Sequence, residues 1–208
     1  FPVFQCAKYM QDPKPLHWSA MKRIYRYLNG TADQKLTLGG ARGKLTLRGF
    51  ADASFANDPD TRRSCTGHIF FLGRSCVSWT SKTQPTVATS PTEAEYIAAN
   101  EAAREAMHLR SLLREFGEIQ DEPTTIYEDS TGCISMSFNA VHHARTKHMD
   151  VRYQYVRERV QEGDLVLKHV RTDDQIADVL TKPLAGSKHK KFTDLMLNGL
   201  PTEWRPYK

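Results

Sequence analysis

No stretch of the 208-residue chain approaches the roughly 18 consecutive apolar residues that a membrane-spanning helix requires, and the opening FPVFQCAKYMQDPKP lacks the charged-then-apolar order of a signal peptide. The expectation is a protein without a membrane segment, cytoplasmic or nuclear and not secreted. Starting at Phe1 inside structured-looking sequence, it reads as a piece of a longer polypeptide. Cysteine is scarce: Cys6, Cys65, Cys76 and Cys133 form no CxxC pair and no Cys/His ligand spacing, which argues against a zinc site or disulfide framework and for small buried side chains. Internal repeats and low-complexity segments are missing, as is a YxDD-like motif, so neither a repeat array nor polymerase activity is expected. Acids are nearly absent from residues 1 to 47, where Lys8, Lys14, Lys22, Arg23, Arg26, Lys35, Arg42 and Lys44 face only Asp12 and Asp33. With a net charge of +5, this stretch and a second from Arg145 to Arg171 are candidates for touching phosphate.

The chain is long enough for one α/β core plus an extra segment. Residues 15 to 28 read as an amphipathic helix, with Trp18, Met21, Tyr25 and Leu28 on one stripe and Gly30 closing it. The Gly-rich GGARGK places a boundary near residue 43. LTLRGFADAS then reads as a strand ending near Asp52, followed by CTGHIFFLG and CVSWTSK joined at Gly73 to Ser75, an antiparallel meander. A long helix opens at Ser90-Pro91-Thr92-Glu93, where Ser90 can cap, Pro91 suits the first helical position and Glu93 completes a capping box. Its apolar positions Ala94, Ile97, Ala98, Ala102, Leu109, Leu112, Leu113 and Phe116 follow helical spacing, and Gly117 ends it. TTIYED reads as a buried strand, STGCISMSF as a helix, HHARTKH as a basic loop, and DVRYQYVRERVQEG as a helix stopped by Gly163. DLVLKHV is the fifth strand, DDQIADVLTKP the last helix of the domain, and SKHKKFTDLMLNGL a short further helix. The order β-β-β-α-β-α-α-β-α predicts an α/β domain with one mixed sheet.

Four carboxylates fall where strands end or helices begin: Asp52, Glu95, Asp129 and Asp178. Singly, each has an ordinary explanation, Asp52 and Asp129 as strand-end or capping residues, Glu95 as a dipole-stabilising acid, Asp178 as a solvated helix residue. As a set they suit hydrolysis of a phosphodiester, which needs several hard oxygen ligands converging on two Mg²⁺ ions about 4 Å apart.

The segments GFADASFAND, RRSCTGHIFFLG, VSWTSKTQPTVATSPTEAEYIAA, YEDSTGCI, HHARTKHMDVRYQYVRE and IADVLTKPL, in this order, resemble the ribonuclease H domain of copia-type LTR retrotransposon Pol polyproteins. HWSAMKRIYRYLNGT upstream is similar to the end of the same family's reverse transcriptase connection. The resemblance implies a ribonuclease H-like fold: a five-stranded mixed sheet, three antiparallel strands then two parallel, flanked by helices. It divides the chain into a connection segment (1–43), a nuclease domain (44–185) and a C-terminal tail helix (186–208).

Carried over position by position, it makes Asp52, Glu95, Asp129 and Asp178 the catalytic, metal-binding set for two Mg²⁺ ions, with Mn²⁺ as a substitute. The implied activity is cleavage of the RNA strand of RNA/DNA hybrids, in a virus-like particle and alongside the polymerase part of the same polyprotein. Neighbouring acids are set aside: Glu93 suits the capping box, Glu128 points away from Asp129's side of the strand, and Asp150 reads as a cap. Such a hybrid is read through backbone shape and the 2′-OH, so Ser81, Lys82 and Gln84, and Arg145, Lys147 and His148, are the expected contacts, each group having a solvated face as its alternative. Trp79 reads as core in preference to a base-stacking platform.

Two departures from the family stand out. Cellular type-1 ribonucleases H carry a loop histidine before the last aspartate, whereas Val170-Arg171-Thr172-Asp173-Asp174 has none, and His169 is predicted within a strand, so slow turnover is expected. Pro91 replaces a usual serine and removes a backbone N–H. A non-catalytic hybrid-binding module is the alternative function; an integrase or transposase core shares fold and metals but typically uses three acids. The sequence leaves the oligomeric state open.

Overall fold

The computed structural model describes residues 1–39, 45–138, 150–202 and 204, with backbone alone for 150–153. The run LRGFADAS forms β1 (Leu47–Ser54), buried on both faces along most of its length, as befits the middle strand of a sheet. CTGHIFFL forms β2 (Cys65–Leu72), and Gly73, at φ 61°, turns the chain into β3 (Ser75–Thr83). With β4 (Thr124–Glu128) and β5 (Leu165–His169) the spatial order is β3-β2-β1-β4-β5. β1/β2 and β2/β3 pair antiparallel, β1/β4 and β4/β5 parallel, as expected. The meander supplies one side of the sheet, and two helical crossovers supply the other.

Seven helices surround the sheet among the described residues: α1 (Pro2–Ala7), α2 (Pro15–Gly30), α3 (Pro91–Glu115), α4 (Thr131–Phe138), α5 (Asp150–Gln161), α6 (Asp178–Thr181) and α7 (Gly186–Asn198). One face packs Leu47, Ala51, Phe70, Ile126, Leu165 and Leu167 against Tyr96 and a row of alanines on α3, with Val156 of α5. Small side chains on α3 let its axis lie close to the strands. The opposite face packs Phe50, Ile69, Phe71 and Cys76 against Ile176, Ala177, Leu180, Phe192 and Leu200.

The start of α3 is built largely as expected. Ser90 Oγ accepts the Glu93 N–H at 3.1 Å and Pro91 occupies the first turn. The Glu93 carboxylate, however, accepts the Thr89 N–H at 2.7 Å and the Thr89 hydroxyl, so the reciprocal bond falls one residue earlier than a capping box predicts. At the other end Gly117, at φ 81°, allows Glu118 N–H to reach Leu113 O (2.9 Å) and Gly117 N–H to reach Arg114 O (3.0 Å), a Schellman closure. Leu112 and Phe116, expected on the packed stripe, are exposed, whereas Leu113 stays in the core.

Other elements differ from the sequence reading. Helix α1 was not expected; its end is tied down by Lys8 Nζ to Asp58 (2.9 Å) and by the Tyr9 hydroxyl donating to Asp60 (2.9 Å). Helix α2 buries no residue, and Trp18, Tyr25 and Leu28 of its expected stripe are exposed, since no element covers that stripe among the described residues. The helix expected over DDQIADVLTKP shrinks to a 3₁₀ turn at Thr172–Asp174 and the single turn of α6. Trp79, expected in the core, is 52% exposed: β3 is the outermost strand, and of its residues the second cluster buries only Cys76. Helix α7 packs firmly on the sheet, with Phe192 buried and Leu200 exchanging hydrogen bonds with Arg74 (2.9 and 2.6 Å). Beyond it, Trp204 meets the rings of Phe50 (5.2 Å) and Tyr127 (5.1 Å) edge-on.

Candidate active site

Parallel pairing explains why two of the predicted acids meet. β1 and β4 pair Arg48 with Thr125, Gly49 with Ile126 and Phe50 with Tyr127, and the same offset sets Asp129, just past β4, level with Asp52 near the end of β1. Helix α3 crosses this edge and lowers Glu95 from its second turn, where Glu95 Oε2 accepts the Ala53 N–H at 2.7 Å. Carboxylate oxygens of Asp52, Glu95 and Asp129 all lie within 4.8 Å of one another. Three hard oxygen donors so placed fit Mg²⁺ or Mn²⁺ in donor type, and among the described residues the set consists of carboxylates alone.

Asp178 is brought beside this group without joining that cluster. It opens α6, is 1% exposed, and is held by Lys182 Nζ on Oδ1 (2.7 Å) and Lys188 Nζ on Oδ2 (2.8 Å). Lys182 also reaches Asp52 Oδ1 at 3.4 Å, while the Thr181 hydroxyl donates to Asp52 Oδ2. Thr172 Oγ1 donates to Asp129 Oδ2 at 2.9 Å, so the short loop without a histidine still steadies one acid of the set. Gly67 makes the approach of α6 possible: a Cβ there would stand 2.7 Å from Thr181 Cγ2 and 2.8 Å from Leu180 Cβ.

Burial and crowding govern the charges. Asp52 is pushed up to about 6, first by burial and then by Asp178 and Asp129, against the pull of Lys182 and Thr181. Glu95 is raised well above the usual carboxylate range by burial and by Asp52 and Asp129. Burial would lower Lys182, yet Asp52 and Asp178 outweigh it and raise the ammonium above the ordinary lysine range.

Glu128, set aside on strand alternation, does point to the other face of β4 from Tyr127, but that is the face α3 covers. It is fully buried and raised well above the usual range, first by burial and next by Glu95. Oε1 accepts the Ser130 N–H (3.2 Å), whereas buried Oε2 has no hydrogen-bond partner. Sequence reasoning also missed Lys182, Thr181, Thr172 and Lys188; the TK of IADVLTKPL was the available signal, since it follows the last acid by one helical turn.

Of the expected nucleic-acid contacts, Lys82 is exposed and paired with Glu101 (2.8 Å), and Ser81 donates to Leu180 O (2.6 Å). Gln84 is buried, its amide donating to Thr66 Oγ1 (3.0 Å) and Ala94 O (2.8 Å), and so it ties the end of β3 to α3. Arg145, Lys147 and His148 lie outside the described residues.

No protein-family model matches the chain. The retrovirus-related Pol polyprotein from transposon TNT 1-94 of Nicotiana tabacum is 41% identical over 190 residues, covering 91% of this chain and 14% of that protein. The corresponding polyprotein from transposon RE2 of Arabidopsis thaliana is 39% identical over 193 residues, covering 93% of this chain and 13% of that protein. Over about nine-tenths of its length the chain is thus similar to retrovirus-related Pol polyproteins of copia-type transposons. It spans about one-seventh of the length of these Pol relatives. LC11-RNase H1, isolated from compost by a metagenomic approach, superposes with a TM-score of 0.50 at 15% identity, covering 65% of this chain and 92% of that one. The chain therefore has the ribonuclease H fold. Its acids stand on β1, on α3, just past β4 and on α6.

Proposed function

We propose that this chain is an endoribonuclease that cleaves the RNA strand of RNA/DNA hybrids within a retrotransposon reverse transcriptase. One observation carries the reading: oxygens of Asp52, Glu95 and Asp129, drawn from three separate elements, converge within 4.8 Å. These residues would hold divalent metal, with Asp178 as the fourth ligand. The chemistry that two bound Mg²⁺ ions, or Mn²⁺ in their place, supply is activation of the attacking water and stabilisation of the leaving 3′ oxygen.

The chain's own contribution is position and charge. Ala53 N–H orients Glu95, Thr181 orients Asp52, and Thr172 orients Asp129, so the carboxylates are aimed before any ligand arrives. Ser81 and Lys82, on the strand beside α6, are proposed to meet the hybrid backbone, as are Arg145, Lys147 and His148. The polymerase part of the same polyprotein is the proposed partner, consistent with the Pol relatives extending far beyond this segment.

A second reading, binding of hybrids without cleavage, is favoured by one feature: both Asp178 oxygens are engaged by lysines. The deciding experiment is cleavage of a labelled RNA/DNA hybrid with Mg²⁺ or Mn²⁺, beside single-stranded and double-stranded RNA and an Asp129→Asn variant. Cutting confined to the hybrid and lost in the variant is the expected result. An intact hybrid bound by folded protein would support the second reading.

A further inference from the structure

Asp52 and Asp178 are each 1% exposed and approach the same ammonium, Lys182 Nζ, at 3.4 and 2.7 Å. One ammonium thus serves two buried carboxylates, whose oxygens have little water around them to take its place. Lys182 comes from the end of α6, one helical turn after Asp178, and its side chain is one-third exposed, so it can swing outward without disturbing the core. Lys188, from α7, pairs with Asp178 from the other side at 2.8 Å, whereas Lys182 is the cation that Asp52 and Asp178 share.

We propose that the Lys182 ammonium is the resident cation of the Asp52–Asp178 half of the site, which a second divalent ion must displace before Asp178 becomes its ligand. This rests on the metal-binding reading above. The first ion uses Asp52, Glu95 and Asp129, whose oxygens already converge. The second competes with a positive charge that belongs to the protein. Lys182 is thus a positioning residue that orders metal loading and keeps the metal-free site neutral enough to stay folded.

The test is calorimetric titration of the full chain with Mn²⁺ at pH 7.5, comparing wild type with Lys182→Gln, Lys182→Arg and Lys188→Gln, together with thermal unfolding in chelator. The second ion should bind Lys182→Gln about tenfold or more tighter than wild type. Lys182→Arg, which keeps the cation, should behave like wild type, and Lys188→Gln should change the second affinity by less than about threefold. Without metal, Lys182→Gln should melt below wild type, and Mn²⁺ should close the gap. Second-ion affinity in Lys182→Gln within about twofold of wild type overturns the inference while leaving the metal reading intact. No Mn²⁺ binding by wild type or variants removes the metal reading itself and the inference with it. On the wild-type chain, the Lys182 side-chain ammonium resonance should shift with the second equivalent of Mg²⁺ and stay still through the first. A shift completed with the first equivalent, or none at all, also overturns the inference, whatever the folding of the variants.

Discussion

Asp52 is a carboxylate placed where water scarcely reaches and where two other acids press on it, and its pKa of about 6 measures that discomfort. An unfolded chain gives up this proton near pH 4, the folded chain near pH 6. Between those values the unfolded state binds fewer protons, so this residue makes metal-free stability fall as pH rises through the window and then level off. Asp58 works in the opposite sense. Burial alone would raise it, but hydrogen bonds from Lys8, Thr61 and the Asp60 N–H hold it at about 2, so its contribution is lost only as pH falls from about 4 toward 2. Asp52→Asn should therefore flatten the pH dependence of Tm between pH 4 and 6 and raise the metal-free Tm at pH 8 by roughly 2–8 °C, while abolishing cleavage. Thermal scans in chelator check this; an unchanged or lowered Tm at pH 8 would count against the strained-carboxylate account.

At the scale of elements, the site depends on how closely α6 lies on β2. Gly67 sits opposite Asp52 in the β1/β2 register, and its missing side chain is the space that Thr181 and Leu180 occupy. Gly67→Ala should cost roughly 1–3 kcal/mol through overpacking and should weaken Mn²⁺ binding as well, because moving α6 moves the Thr181 hydroxyl off Asp52. Full metal affinity in a destabilised variant would separate the two effects and refute the link. Much of this architecture was legible beforehand: apolar, β-branched runs and the turn at Gly73 to Ser75 marked the meander, and Ser90 and Gly117 marked the ends of α3. Helix α6 was not, because four residues carry too little periodicity to show a boundary. Trp79 misled for a different reason. Strand character is local, but being outermost in a sheet is decided by which strands pair elsewhere. For Glu128 alternation gave the direction along the strand, but it says nothing of what waits on that side, here Glu95.

For the molecule as a whole, the two faces of the sheet are covered by chain from opposite sides of the site. Helix α3 and its neighbours cover one; α6, α7 and the residues after them cover the other, with Phe192 at 0% exposure. The stretch from residue 186 onward, which reads as a tail, thus supplies core. Phe192→Ala should lower unfolding free energy by about 3–5 kcal/mol in urea titrations. A loss under about 1 kcal/mol would show that α7 can detach without consequence.

The three tryptophans share this layout unevenly: Trp18 is 61% and Trp79 52% exposed, whereas Trp204 stands edge-on to Phe50 and Tyr127 over the second core. Half or more exposed, the first two should emit much as indole does in water and change little when the chain unfolds. Trp204 alone is placed to change colour, so intrinsic fluorescence of this protein is in effect a lamp on the docking of its C-terminal segment, and a spectroscopist following its denaturation would be watching that one seam open.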